Sequence, residues 1–65
     1  MSLRMRIDTR VGRITVRHST NLPDLAASVA RQERLCVVVG SGGALWVCSA
    51  RVADRLAAAG YVVIG

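Results

Sequence analysis

Arginine is the residue type in this chain best suited to chemistry with a partner. All nine basic residues are arginine, four residues are acidic, and the net charge is +5. This balance favours polyanionic partners, because guanidinium groups bind phosphate oxygens in a bidentate manner without reading base sequence. Five arginines fall within the first eighteen residues, and we predict that they contact nucleic-acid phosphates: Arg4, Arg6, Arg10, Arg13 and Arg17.

The arginine-rich segment has the alternation of a β-ribbon. In an extended segment over residues 4–9, Arg4, Arg6 and Asp8 share one face, while the apolar side chains share the other. Residues 14–18 repeat this alternation. The sequence therefore predicts two paired strands with an arginine-bearing outer face and an apolar inner face.

The loop between these strands decides which residues face one another. A three-residue loop ending at a left-handed Gly12 would mix the two faces. An even-numbered loop over residues 10–13 keeps the faces apart, and we expect it because a wrong register would expose apolar side chains. The pairs that result are Ile7 beside Val16 and Arg6 beside Arg17.

A second interpretation gives the arginines no nucleic-acid role. In a structural or protein–protein interaction module, they would solvate an edge strand and deter edge-to-edge pairing. The two interpretations differ in whether the arginines form a continuous uncompensated patch. Neutralisation by Asp8, Asp24 or Glu33 would favour the structural one.

Other chemistry has little support in the sequence. Cys36 and Cys48 lack a CxxC spacing and His18 is the one histidine, so a zinc site lacks ligands. Three of the four carboxylates, Asp24, Glu33 and Asp54, have structural duties on a helix or at its first turn, which disfavours paired acid and base catalysis. We therefore predict no enzyme, no metal, no cofactor and no small-molecule substrate.

The glycine-rich segment over residues 40–45 has two interpretations. It shares features with the opening of a dinucleotide-binding unit, which would require one continuous helix over residues 45–59. However, Leu45 occupies the third glycine position, and the sequence contains no acidic ribose-binding residue after it. A hairpin turn is the favoured interpretation.

Local signals predict the remaining elements. Thr20 or Asn21 caps a helix over residues 22–33, with Pro23 and Asp24 in its first turn. Its expected apolar face contains Leu22, Leu25, Ala26 and Val29. Ser49 caps a second helix, which Gly60 closes, with Val52, Ala53, Leu56 and Ala59 on its apolar face.

Three further strands follow from β-branched runs. Residues 35–39 and 45–48 form a hairpin, whose three-residue loop over residues 41–43 sets Cys36 opposite Cys48 and Val38 opposite Trp46. We expect these cysteines to be reduced, unbridged thiols on the same side of the hairpin. Residues 61–64 form the last strand.

The fold class predicted is α/β, of the α+β type: a small single domain with element order ββαββαβ, a mixed sheet and two short helices. The domain spans residues 1–65, with residues 1–3 expected to be a frayed end or a cloning scar. No apolar run reaches the length of a membrane span, and the start lacks the apolar core of a signal peptide. We therefore expect a cytoplasmic protein without membrane contact.

Self-association is predicted from the three C-terminal strands, which are apolar on both faces. Two short helices leave part of such a sheet uncovered, and a second copy of the chain would bury the remainder. The residues expected in the core or at the interface of this homo-oligomer are Val38, Trp46, Tyr61, Val62 and Ile64.

Overall fold

A computed structural model describes residues 4–65 of the chain, so the expectation for residues 1–3 lies outside the described residues. The α+β class is confirmed, and the predicted element order holds with one added strand, because the second run of the ribbon divides near Arg17. The elements are β1 (Met5–Thr9), β2 (Gly12–Val16), β3 (His18–Thr20), α1 (Pro23–Glu33), β4 (Cys36–Val39), β5 (Leu45–Cys48), α2 (Ala50–Ala58) and β6 (Val62–Val63), with a 3-10 turn at Ser41–Gly43.

Strands β3 to β6 form a four-stranded sheet in the order β3-β5-β4-β6, and β1 and β2 form a separate hairpin. Every strand pair within residues 4–65 is antiparallel, so the expectation of a mixed sheet was wrong. The reason lies in the two strand–helix–strand units. β5 inserts between β3 and β4, and β4 inserts between β5 and β6, so strands that run in the same direction are never neighbours.

Both faces of β4 and β5 are covered within one chain. One face packs against α1, and the other packs against α2 together with the β1–β2 hairpin. The premise that two helices leave this sheet uncovered was therefore wrong for β4 and β5, because the hairpin covers what α2 does not. The buried residues on the α1 side are Ala26, Ala30, Val37, Leu45 and Val47. Those on the α2 side are Ile14, Val16, Val38, Trp46, Cys48, Ala53 and Leu56.

Helix α1 begins at Pro23, one residue after the predicted start, and has a different cap and a different set of buried residues. The N-cap is Leu22, which makes no side-chain cap bond, and the Thr20 hydroxyl instead accepts a hydrogen bond from the Leu22 N–H (3.1 Å). Leu22 and Leu25 are 57% and 42% exposed, which corrects the predicted apolar face. The small side chains of Ala26 and Ala30 face the sheet, and Leu25 lies about 100° round the helix from Ala26.

Helix α2 has the predicted ends. The Ser49 side chain accepts a hydrogen bond from the Val52 N–H (3.3 Å), which is an N-cap interaction. At the other end Gly60 is left-handed, with φ of 99°, and the Tyr61 N–H bonds to the Leu56 carbonyl (3.0 Å). This Schellman-type closure directs the chain from α2 into β6.

The β4–β5 hairpin confirms its predicted register. Cys36 lies opposite Cys48 and Val38 opposite Trp46, and the Gly40 N–H bonds to the Ala44 carbonyl across the three-residue loop (2.7 Å). Because residues 45–48 are a strand, the continuous helix needed for dinucleotide binding is absent there.

The β1–β2 hairpin has an even-numbered loop, but the loop has two residues where four were expected. Thr9 pairs with Gly12 and Arg6 with Thr15, so the predicted Arg6–Arg17 pair does not form. The tight turn is stabilised by the Thr9 hydroxyl, which donates to the Gly12 carbonyl (2.8 Å) and accepts from the Val11 N–H (3.1 Å). Gly12 accommodates the turn with φ of 98°.

Candidate functional site

The surface of this chain, and not an interior cavity, contains its candidate sites. Residues 4–65 form no pocket. Within that same range, no three side chains of the metal-ligating types gather into a group. We therefore consider the two features that stand out on the surface: the arginine-bearing hairpin and the exposed edge of the sheet at β6.

Arg13 is compensated on the outer face of the hairpin. Its Nε donates to a carboxylate oxygen of Asp8 (3.1 Å), the residue directly opposite on β1. The two side chains remain 65% and 80% exposed. An ion pair this exposed contributes about 0–1 kcal/mol to stability.

Arg17 is compensated by the end of α1. Its Nη1 lies 3.1 Å from a carboxylate oxygen of Glu33, and its backbone N–H bonds to the Val47 carbonyl (2.8 Å). The pair is about one-third exposed, at 35% and 36%. Arg17 thus joins the hairpin, the sheet and α1 at one point, which is a structural role.

Arg10 attaches the tip of the hairpin to the end of α2. Its Nη1 donates to the Ala59 carbonyl (3.2 Å), and its Cζ lies 5.0 Å from the centre of the Tyr61 ring, within cation–π range. From the other side, Arg55 Nη2 donates to the Val11 carbonyl (3.4 Å). The sequence did not indicate Arg55 as a partner of the ribbon, because the two are 44 residues apart.

Arg4 and Arg6 differ from the other three arginines. Both are exposed, and neither has an ion pair or side-chain hydrogen bond with any of residues 4–65. Arg6 lies on the outer face of β1, and the alternation of the strand, continued by one residue, places Arg4 on the same face. Of the five predicted contact residues, Arg10, Arg13 and Arg17 therefore have partners within the described residues, and the other two do not.

The two aromatic residues belong to the core and its margin. Trp46 is 2% exposed, and its ring centre lies 5.6 Å from that of the half-buried Tyr61. A Cβ atom at Gly40 would lie only 2.3 Å from Trp46 Cε2, so Gly40 is needed to admit the indole. Trp46 is thus shielded from solvent, and Arg10 lies over the Tyr61 ring, so neither ring is a free platform for a nucleic-acid base.

The two thiols lack the surroundings of a catalytic nucleophile. Cys48 is fully buried, and burial, followed by the charge of Cys36, raises the pKa of Cys48 from 9.0 to about 11. The raised pKa disfavours the thiolate, which is the reactive form. His18 pairs with Val47 and so lies on the opposite face of the sheet from both cysteines.

The β6 edge, formed by residues 62–64, exposes three consecutive large apolar side chains. Val62, Val63 and Ile64 are 59%, 40% and 56% exposed, and residues 61–65 contain no charged side chain. Of the residues predicted in the core or interface, Val38 and Trp46 are in the core, Tyr61 is half-buried, and Val62 and Ile64 are exposed. Val63, which the prediction did not include, belongs with this exposed group.

None of the helices formed by residues 4–65 has the length and apolar character to span a membrane. Comparison with protein-family models, with curated proteins and with solved structures found no match to the chain.

Proposed function

We propose that this protein is a non-enzymatic interaction module whose copies associate through the β6 edge. The observation that supports this most directly is the exposure of three consecutive apolar residues, Val62, Val63 and Ile64, on a strand that pairs on one side only. Three of the five arginines of the first segment, Arg10, Arg13 and Arg17, have internal partners, which supports a structural role for these three.

The two edges of the sheet differ in how they are protected. The β3 edge contains three polar residues, His18–Thr20, all half-buried. Within residues 4–65, the β6 edge has no charged side chain and no element that covers it, although natural proteins usually protect edge strands by charge, proline or cover. A second copy of the chain is the cover that we propose.

The backbone geometry indicates how two copies would join. The Ile64 N–H bonds to the Val37 carbonyl, and backbone groups along a strand point alternately to either side. The N–H and C=O of Val63 therefore point away from β4. Two β6 strands, paired antiparallel about a two-fold axis at Val63, would exchange these groups and join the two sheets into one.

The side chains suit this arrangement. Pairing centred on Val63 sets Val62 of each copy beside Ile64 of the partner, on the sheet face that α1 covers elsewhere. Each side chain is already about half covered, so burial recovers on the order of 1 kcal/mol apiece. Association entropy opposes this gain, and we expect a dissociation constant in the micromolar to millimolar range.

Sedimentation equilibrium across that concentration range tests the proposal. Wild-type protein should shift from the 6.9 kDa chain mass to twice that mass. Val62→Lys should remain monomeric, because each interface would bury two unpaired ammonium groups. Val63→Pro should do the same, because it removes the outward N–H without removing a bond to β4.

The matched control is Ala57→Lys, which adds the same charge at an exposed position of α2. It should dimerise like the wild type. A wild-type mass of 6.9 kDa at every concentration, or a doubled mass retained by both β6 variants, would refute association through this edge.

A further inference from the structure

We infer that the open end of the β1–β2 hairpin binds the phosphate backbone of nucleic acid through Arg4 and Arg6. This site lies on a different element from the β6 edge and does not depend on self-association. It also narrows the five-residue prediction made from the sequence, because the partners of Arg10, Arg13 and Arg17 are now known.

The absence of internal partners distinguishes these two arginines from Arg10, Arg13 and Arg17 of the same segment. Arg10 and Arg17 connect the hairpin to α2 and α1, so a ligand that bound these groups would have to displace those contacts. Arg4 and Arg6 have no such contact within residues 4–65. Their donors are available to an external anion at no cost to the fold.

The spacing of the pair fits a regular polyanion. Residues at alternate positions of a strand repeat at about 6.8 Å, and phosphates of one DNA strand advance about 3.4 Å along the helix axis per nucleotide. Because these phosphates also wind around the axis, neighbouring phosphates lie about twice that rise apart in space, so Arg4 and Arg6 match adjacent phosphates. The exposed hydroxyl of Thr15, directly opposite Arg6, offers a further donor on the same face.

Asp8 limits the site to the open end of the hairpin. Its carboxylate lies on the same outer face, 3.1 Å from Arg13, and would repel phosphate near the turn. Replacing the Asp8 carboxylate with an amide would end this repulsion and release Arg13 from its ion pair. Asp8→Asn should consequently strengthen binding.

The same features predict binding without sequence preference. Trp46 is buried and Tyr61 lies beneath Arg10, so base stacking does not contribute. The interaction is then electrostatic and releases counterions, and its affinity falls steeply with salt concentration.

Fluorescence anisotropy with a labelled mixed-sequence duplex, titrated at several salt concentrations, tests this inference. The double variant Arg4→Ser/Arg6→Ser should lose roughly 10- to 100-fold in affinity at 0.1 M salt, with the salt slope reduced by about two. The matched control, Arg31→Ser/Arg51→Ser, removes the same charge from exposed helix positions and should lose much less. Circular dichroism should show that both variants remain folded.

Three outcomes would overturn the inference. Equal losses in both double variants would mean that net charge alone attracts the DNA. If the wild-type protein did not bind DNA even at low salt, nucleic acid would not be the ligand of Arg4 and Arg6. Binding to phosphatidylserine vesicles without binding to duplex or single-stranded DNA would assign the arginines to a lipid surface.

Discussion

The two hairpins of this chain are held in place by different forces. The β4–β5 hairpin is covered on both faces, and all four residues of β5 are buried. The β1–β2 hairpin packs only its inner face, through Ile14 and Val16, and is joined to the helices by arginine contacts. Packing on two faces therefore positions the β4–β5 hairpin, whereas the β1–β2 hairpin combines packing on one face with arginine contacts to the helices.

A methyl group at Gly40 should produce the largest change in the packed hairpin. Gly40→Ala places a Cβ about where the indole of Trp46 now lies, at 2.3 Å from Cε2, and we expect a loss of about 3 kcal/mol in the free energy of unfolding. Urea denaturation measures this loss. In a Trp46→Leu background the same change should cost clearly less, and an equal cost in both backgrounds would refute the steric explanation.

The buried thiol should make the β4–β5 hairpin sensitive to alkali. The pKa of Cys48 is raised from 9.0 to about 11 in the folded chain, so the unfolded chain loses this proton at a lower pH than the folded chain. The contribution of the Cys48 thiol to the free energy of unfolding is fully present below pH 9 and is lost as the pH rises to about 11. The loss amounts to about 2 to 3 kcal/mol.

Denaturation measured from pH 8 to 11 tests this slope. Cys48→Ala should flatten the part of the profile that this thiol contributes, although the variant will be less stable throughout because it leaves a cavity. An unchanged slope in Cys48→Ala would show that other groups cause the alkaline loss.

The arginine contacts of the β1–β2 hairpin should contribute less than the packing of the other hairpin. Arg10→Ala removes the bond to the Ala59 carbonyl and the contact with the Tyr61 ring, and should cost about 1 kcal/mol. Arg6→Ala, which removes no internal contact, should change stability by less than about 0.5 kcal/mol. If chemical denaturation showed equal losses of stability in the two variants, the contacts of Arg10 would not stabilise the hairpin.

The same contrast explains what the sequence predicts well. The register of β4–β5 follows from a glycine-containing loop of defined length. Helix α2 is delimited by two local signals, the Ser49 cap and the left-handed Gly60. These features depend on residues close together in the chain, so they can be predicted from the sequence alone.

The β1–β2 hairpin shows where such reasoning stops. Alternation of faces determined that the loop has an even number of residues but not how many, so Arg6 was paired with the wrong residue. Helical periodicity similarly allowed a stripe through Leu25, whereas packing selected the neighbouring alanines. The contact between Arg10 and Ala59 joins residues 49 positions apart, and no local pattern encodes it.

The candidate sites were predicted in part. The sequence indicated both the arginine-bearing ribbon and the apolar last strand, but it did not divide the arginines into anchored and free groups. That division requires the positions of Asp8, Glu33 and Ala59 in the folded chain. The sequence also did not show that the β1–β2 hairpin covers one face of the sheet.

Association through β6 is tested most directly by nuclear Overhauser effects between copies. In a mixture of isotope-labelled and unlabelled protein at millimolar concentration, filtered spectra detect only contacts between different molecules. We predict signals between the methyl groups of Ile64 in one copy and those of Val62 in the other, and between the two Val63 side chains. A doubled mass with these signals absent, or with intermolecular signals only at Leu22 and Leu25, would contradict the proposed edge and place the interface elsewhere.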